Sequence, residues 1–307
     1  MKLASGFASR TRMALWLATL AVGIVATIAA WALEAPDSSV ASAPSKPTTG
    51  NLLLNGGGGE SAPYWPRFFE LAGGKDAAIV ILPTASERPE SGQEYVDELK
   101  ALGATGAVWL PLRSREDSSK PEILAAIAHA RAIFFTGGDQ SRVTAAILGT
   151  PAEAAIRKVY DDGGVLGGSS AGLACMSKVM LTGEGDFEKI VGGNVEVKEG
   201  LGYVTEAIID QHFITRQRQN RLISVVLEHP ELPGIGVDEK TTIWIHPDRT
   251  FDVFGDGSVM IFDARKAKVA TDGAATKPRL GVDGMITRIL LPGDRFDLKS
   301  GSLLPHS

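Results

Sequence analysis

Short apolar runs alternate with helix-period segments through the first half of the chain. Asn51 to Asn55 reads as a first strand and runs directly into four glycines, Gly56 to Gly59. Residues 63–73 read as a helix, Ala77 to Pro83 as an apolar strand, and Glu94 to Leu102 places Tyr95, Leu99 and Leu102 at helical intervals. Val108 to Leu112 predicts a third strand, and Pro121 to Ala130 a helix with Ile123, Leu124 and Ile127 on one face. A fourth strand, Ala132 to Phe135, stops at Thr136-Gly137-Gly138-Asp139-Gln140. Helices follow from about Arg142 and over Pro151 to Tyr160, and Val165-Leu166 opens a fifth strand. These strands are apolar throughout instead of alternating, as strands covered on both faces are. The pattern predicts an α/β fold with a doubly wound, mostly parallel sheet flanked by helices.

The pattern changes after residue 190. Tyr203–Ile209, Ile235–Val237, Thr242–Ile245, Phe251–Phe254, Val259–Phe262 and Met285–Leu291 all read as strands, so the C-terminal part carries extra β structure. One helix, Arg216 to Glu228, interrupts them, with Arg218, Leu222, Val225 and Val226 on one stripe. No internal repeat stands out.

The first fifty residues stand apart. Lys2, Arg10 and Arg12 precede an uncharged stretch from Met13 to Leu33, and Ala30-Trp31-Ala32 and Ala41-Ser42-Ala43 both resemble signal-peptidase sites. Residues 1–32 are expected to be a signal peptide, with a membrane anchor as the alternative, since the uncharged stretch is just long enough to span a bilayer. A Pro/Ser/Ala-rich linker fills 33–50, a catalytic domain 51–265 and a partly β extension 266–307. The chain is thus expected in the periplasm or outside the cell, touching a membrane only through an uncleaved N-terminus. A formal charge of −5 without a basic block gives no footprint for nucleic acid. The single cysteine, Cys175, excludes an intrachain disulfide and a C-x-x-C site, and the five histidines have no metal-ligand spacing. No metal or cofactor is expected, and a homodimer is left open.

Chemistry gathers at Gly167-Gly168-Ser169-Ser170-Ala171-Gly172. Gly168-x-Ser170-x-Gly172 fits a nucleophile elbow, a strained strand-to-helix turn that lifts a serine Oγ above a parallel sheet. The bland alternative is a glycine-rich turn. A serine nucleophile needs a base, and the base a carboxylate to fix its tautomer. His212 ends the apolar run Ile208-Ile209 behind the polar pair Asp210-Gln211, where α/β sheets collect active-site residues. Arg216, Arg218 and Arg221 follow, and arginines beside an apolar stripe and a base suggest a clamp for anionic groups.

Four segments together resemble the cyanophycinases, serine exopeptidases of the S51 group related to aspartyl dipeptidase and, in fold, to class I glutamine amidotransferases. They are Gly137-Gly138-Asp139-Gln140, the elbow, Asp210-Gln211-His212-Phe213 with its three arginines, and Gly234-Ile235-Gly236-Val237-Asp238-Glu239. The resemblance runs from about Leu52 to Phe262; Ser169 stands where the family often has threonine. It implies Ser170 as nucleophile, His212 as base and Glu239 as orienting acid, with Asp186 the competing acid. It also implies that Gln140, Asp210, Gln211, Arg216, Arg218 and Arg221 line the substrate pocket. The Ala171 and Gly138 amides would form an oxyanion hole, by analogy with other acyl-transfer enzymes. The activity implied is hydrolysis of cyanophycin, multi-L-arginyl-poly-L-aspartate, to β-aspartyl-arginine dipeptides. A dipeptidase-like hydrolase of short peptides and a catalytically silent exported binding protein are the alternatives. An amidotransferase proper would carry cysteine at position 170.

Overall fold

The computed structural model describes residues 50–305, apart from 89, 274 and 275. The expected signal peptide or anchor, and the linker up to residue 49, lie outside the described residues. The first half alternates β1 (Asn51–Asn55), α1 (Tyr64–Ala72), β2 (Ala78–Leu82), α2 (Ser91–Ala101), β3 (Gly106–Trp109), α3 (Pro121–His129) and β4 (Ala132–Phe135). Then come α4 (Gln140–Ile147), α5 (Pro151–Asp161), β5 (Val165–Ser169) and the single turn α6 (Ala171–Ala174). The second half holds β6 (Val179–Gly185), β7 (Val195–Glu199), β8 (Ile208–Asp210), α7 (Gln219–Glu228), β9 (Gly234–Val237) and β10 (Thr241–Ile245). It closes with β11 (Thr250–Gly255), β12 (Val259–Asp263), β13 (Lys268–Thr271), β14 (Leu280–Asp283), β15 (Ile286–Leu290), β16 (Arg295–Asp297) and β17 (Ser302–Leu304).

The main sheet has the order β17-β16-β11-β10-β1-β5-β4-β2-β3. Its β1-β5-β4-β2-β3 half is parallel, and the four strands beyond β1 are antiparallel. Alternation inside each parallel strand divides the core. Leu52, Leu54, Val80, Leu82, Ile133 and Phe135 pack with Ile127, Ile147 and Ile156 from α3, α4 and α5. Leu53, Ile79, Ile81 and Phe134 turn the other way, onto Tyr64, Trp65 and Phe68 of α1 and Val96 and Leu99 of α2. With helices on both faces these strands need no polar side, which is why they read as continuous apolar runs. Each such Leu, Ile or Phe contributes about 1.5–3 kcal/mol by leaving water. Local signals agree with the packing. Thr150 caps α5 by accepting from the Glu153 amide, with Pro151 at the first helical position, where its missing N–H costs nothing.

A second sheet, β15-β12-β9-β8, pairs β8 with β9 in parallel and the rest antiparallel. Leu222, Val225 and Val226 of α7 pack against it with Ile208, Phe213 and Phe262. Here the expectations need two corrections. The helix expected from Arg216 begins at Gln219, because Gln217 takes the left-handed φ of 52° and breaks it. Arg216 and Arg218 sit in the preceding turn, closed by the Arg218 amide donating to Phe213 O at 2.9 Å. The segment 179–199, for which no strand was expected, forms the β6–β7 hairpin with Leu181 opposite Val197. The tail is β, as expected, and is built into the sheets: β15 edges the second sheet, while β16 and β17 edge the main one. Leu290, Phe296 and Leu298 are buried there.

Candidate active site

β5 ends at Ser169, and Ser170 turns the chain with φ 56° and ψ −108° into α6. The flanking glycines are required by close approach. A Cβ on Gly168 would stand 2.2 Å from Gly172 O, and one on Gly172 2.0 Å from Phe135 O. A non-glycine residue in so sparsely populated a conformation costs about 1–3 kcal/mol, and the surroundings must over-determine it. The Ser170 amide accordingly donates to Asn55 O at 3.0 Å, while the Leu173 and Ala174 amides return to Ser170 O at 3.1 and 3.0 Å. Ser169 points elsewhere, donating to Asn55 Oδ1 at 3.3 Å. Cys175 is buried behind the turn, and burial pushes its thiol pKa up.

His212 and Glu239 come to Ser170 from the ends of β8 and β9. The Ser170 Oγ lies 2.8 Å from His212 Nε2, and His212 Nδ1 lies 2.6 Å from Glu239 Oε1. A carboxylate only accepts, so the neutral imidazole carries its proton on Nδ1 and leaves Nε2 free to accept from the serine hydroxyl. Asp186 is not near this chain; it is exposed on the β6–β7 hairpin and accepts from the Glu188 amide at 3.0 Å. Burial holds the His212 pKa below the ordinary histidine value of 6.5; Glu239 raises it, and the positive charges of Arg216 and Arg218 lower it again.

One short stretch of backbone holds all three groups. Asn55 O accepts from the Ser170 amide, Gly56 O from the His212 amide at 2.8 Å, and Gly57 O from the Lys240 amide at 2.7 Å. Consecutive carbonyls at the end of β1 therefore fix the Ser170 turn, the imidazole and the residue after the carboxylate. Side chains are excluded here: a Cβ on Gly57 would lie 2.3 Å from His212 Cε1, and one on Gly58 2.6 Å from Glu239 Oε2. His212 itself sits at φ 48°. Asp238 faces away from Glu239 and accepts from the Ile214 and Thr215 amides, both at 3.0 Å, which ties down the loop after His212.

Ser170 opens into a cleft of about 410 Å3 whose walls include Gly138, Gln140, Gln211, Arg216 and Arg218. Gln140 Nε2 donates to Leu181 O at 2.8 Å, and Gln211 Oε1 is 3.4 Å from Ser170 Oγ. Arg218 donates to Gln211 O at 2.9 Å with its side chain only 11% exposed. Burial first, and then the neighbouring Arg221, bring its pKa down to about 10. Arg218 shares the Asp210 carboxylate, 3.9 Å from its Nη1, with Arg221. Among the described residues, the Gly138 and Ala171 amides donate to no protein acceptor. Two expected wall residues are elsewhere. Asp210 and Arg221, each 1% exposed, lie beneath the cleft and bind one another through both carboxylate oxygens, with Arg221 Nε 2.7 Å from Oδ2. A buried charge is tolerable only when paired in this way. Among the described residues no cluster of histidine, cysteine and acidic side chains is placed to hold a metal ion.

A serine, a base and an acid in hydrogen-bond series beside unpaired amides are suited to acyl transfer, a chemistry that recurs on unrelated folds. Comparison with known proteins narrows it. The sequence model of one family, Peptidase family S51, matches residues 52–253. The chain belongs to peptidase family S51. This S51 peptidase is 37% identical over 237 residues to the cyanophycinase of Geminocystis herdmanii, covering 76% of this chain and 87% of the relative. With the cyanophycinase of Trichormus variabilis it shares 37% identity over 242 residues, 78% of this chain and 81% of that one. The cyanophycinase of Synechococcus elongatus is 34% identical over 236 residues, 76% of this chain and 73% of the relative. A peptidase from an acI-B1 Actinobacterium superposes with a TM-score of 0.61 over 82% of this chain and 98% of that one. At 23% identity that likeness concerns the fold.

Several groups at this S51 site escaped the sequence reading. The β6–β7 hairpin supplies Thr182, Gly183, Glu184, Glu196 and Lys198 to the cleft wall, and α4 adds Asp139 and Ser141 at its start. The glycines after β1 shape the backbone against His212 and Glu239. Their signal was present, in glycines directly following a strand that pairs with the nucleophile strand, but only the pairing of Asn55 with Ser169 makes it legible.

Proposed function

We propose that this S51 peptidase is serine-type and hydrolyses cyanophycin to β-aspartyl-arginine dipeptides through an acyl-enzyme on Ser170. The observation that carries the reading is the Ser170–His212–Glu239 series at the cleft floor, in a chain 34–37% identical to cyanophycinases. In the first step Ser170 Oγ attacks the scissile carbonyl as His212 Nε2 takes its proton, and Glu239 stabilises the imidazolium that forms. The oxyanion is met by the Ala171 and Gly138 amides. His212 gives the proton to the leaving amine; water, deprotonated in turn by His212, then attacks the ester carbonyl and restores Ser170 Oγ–H. Arg218, partly desolvated, takes a free carboxylate of the terminal substrate unit, with Arg216 at the more exposed rim.

Incubating the purified chain with cyanophycin and with isolated β-aspartyl dipeptides tests this reading. Mass spectrometry should find β-aspartyl-arginine released from the polymer and the dipeptides left intact. Turnover of the dipeptides alone would contradict the reading in favour of a short-peptide hydrolase. We also propose export, from the basic start, the uncharged stretch and the two A-x-A sequences of residues 1–43. Recovery from the native host of a chain whose intact mass still includes Met13 to Leu33 would mean an anchor instead.

A further inference from the structure

If the substrate is a polymer with arginine on every aspartyl unit, the site must accept a guanidinium beside the scissile bond. Asp210 cannot provide for it. Both its oxygens are engaged by Arg221, Arg218 Nη1 stands 3.9 Å from Oδ1, and the carboxylate is closed off from the cleft. The cleft's other carboxylates are Asp139, at the start of α4, and Glu184 and Glu196 of the β6–β7 hairpin; Asp139 is engaged by its own helix, accepting from the Ser141 amide at 2.8 Å with Arg142 Nε at 3.9 Å. Of these, Glu196 is already matched, accepting from Thr182 Oγ1 at 2.8 Å with Lys198 Nζ at 3.3 Å. Glu184 differs. Its amide is pinned to Thr182 Oγ1 at 3.2 Å, which fixes the backbone, yet among the described residues its carboxylate meets no donor and no cation. The same cleft holds a second unmatched group: Gln211 is 5% exposed, and its side-chain NH2 donates to no acceptor among the described residues. Open to the cleft, that NH2 is available to an acceptor on a ligand. The cleft thus has unsatisfied groups of both kinds, donors at Gln211 and Arg218 and an acceptor at Glu184. A substrate unit carrying both a carboxylate and a guanidinium satisfies them together.

We propose that Glu184 receives the guanidinium of the substrate arginine next to the scissile bond and so sets the preference for arginine-bearing chains. This rests on the cyanophycin reading above. Guanidinium and carboxylate match as planar, two-point partners, which a neutral side chain of the same shape does not reproduce. Because Glu184 is exposed, water screens part of the attraction, and an effect near 10-fold is expected.

The test uses the full enzyme, synthetic oligomers of β-aspartyl-arginine, and matched oligomers in which uncharged citrulline replaces arginine. Wild-type enzyme should favour the arginine oligomer about 10-fold in kcat/KM. Glu184→Gln keeps size but not charge, so it should bring the two oligomers close together, mainly through a raised KM for the arginine oligomer, with the thermal midpoint unchanged. Retention of the full arginine preference by Glu184→Gln overturns this inference and leaves the substrate reading standing. A wild-type enzyme that cleaves neither oligomer overturns the substrate reading, and this inference with it.

Discussion

At the scale of single residues, the protonation of His212 decides when the proposed relay can work. Only neutral imidazole accepts the Ser170 proton, so activity disappears as pH falls through the His212 pKa. Burial holds that pKa below 6.5, which places the acid limb of kcat/KM at lower pH than an ordinary histidine would. The neighbours act in opposite senses. Glu239 stabilises the imidazolium and Arg216 opposes it. Arg216→Gln should therefore move the acid limb up in pH, and Glu239→Gln should move it down while also slowing turnover through loss of the oriented tautomer. A kcat/KM profile from pH 4 to 9 for the three enzymes reads this directly; an unmoved limb in both variants would mean that His212 is not the titrating base. Ser170 and His212 were legible in the sequence because each stands at a break in an apolar run, after Leu166-Gly167-Gly168 and after Ile208-Ile209. The fates of Asp210 and Arg221 were not. Eleven positions separate them, and only the fold shows that they satisfy each other instead of a ligand.

At the scale of elements, three strand ends and one turn make the site. β5, β8 and β9 deliver Ser170, His212 and Glu239, and the carbonyls of Asn55, Gly56 and Gly57 hold the backbone at or just after each. Gly57 is the sensitive point, since it combines φ 102° with contact against the imidazole. Gly57→Ala should push the His212 ring off line and lower kcat by about 100-fold or more. Its effect on stability should stay near the ~1–2 kcal/mol of a strained φ. Wild-type kcat in a folded Gly57→Ala enzyme would show that the turn is a spacer and not a template. The sequence places a turn here but not its contacts with His212 and Glu239, because glycines carry no side-chain pattern. The β6–β7 hairpin was missed for a different reason: Thr182 to Asp186 and Glu196 to Glu199 are rich in polar and charged residues that face the cleft and solvent, so no apolar run announces it. The early start expected for α7 has a third cause. The stripe through Arg218 and Leu222 is helical in spacing, and nothing in spacing reveals a left-handed Gln217.

At the scale of the whole molecule, the parallel half of the main sheet was legible almost strand by strand, since burial on both faces leaves a plain apolar signal. How the C-terminal strands divide between two sheets was not, because short strands of similar composition do not declare their partners; β16 joins β11 in one sheet and β15 joins β12 in the other. That division matters for the site. β8 and β9 belong to the second sheet and β5 to the main one, so the relay spans both and depends on their packing. On the proposed mechanism Ser170 and His212 act as one unit in hydrolysing cyanophycin. The most direct test is kcat on the polymer for Ser170→Ala, His212→Ala and the double variant, with Ser169→Ala as control. Each single substitution should cost about 10⁴–10⁶-fold and the double variant little more, because a proton relay fails whole. Ser169→Ala should be far milder and all four proteins should remain folded. Dipeptide release by Ser170→Ala near the wild-type rate, or losses that simply add in the double variant, would contradict the claim.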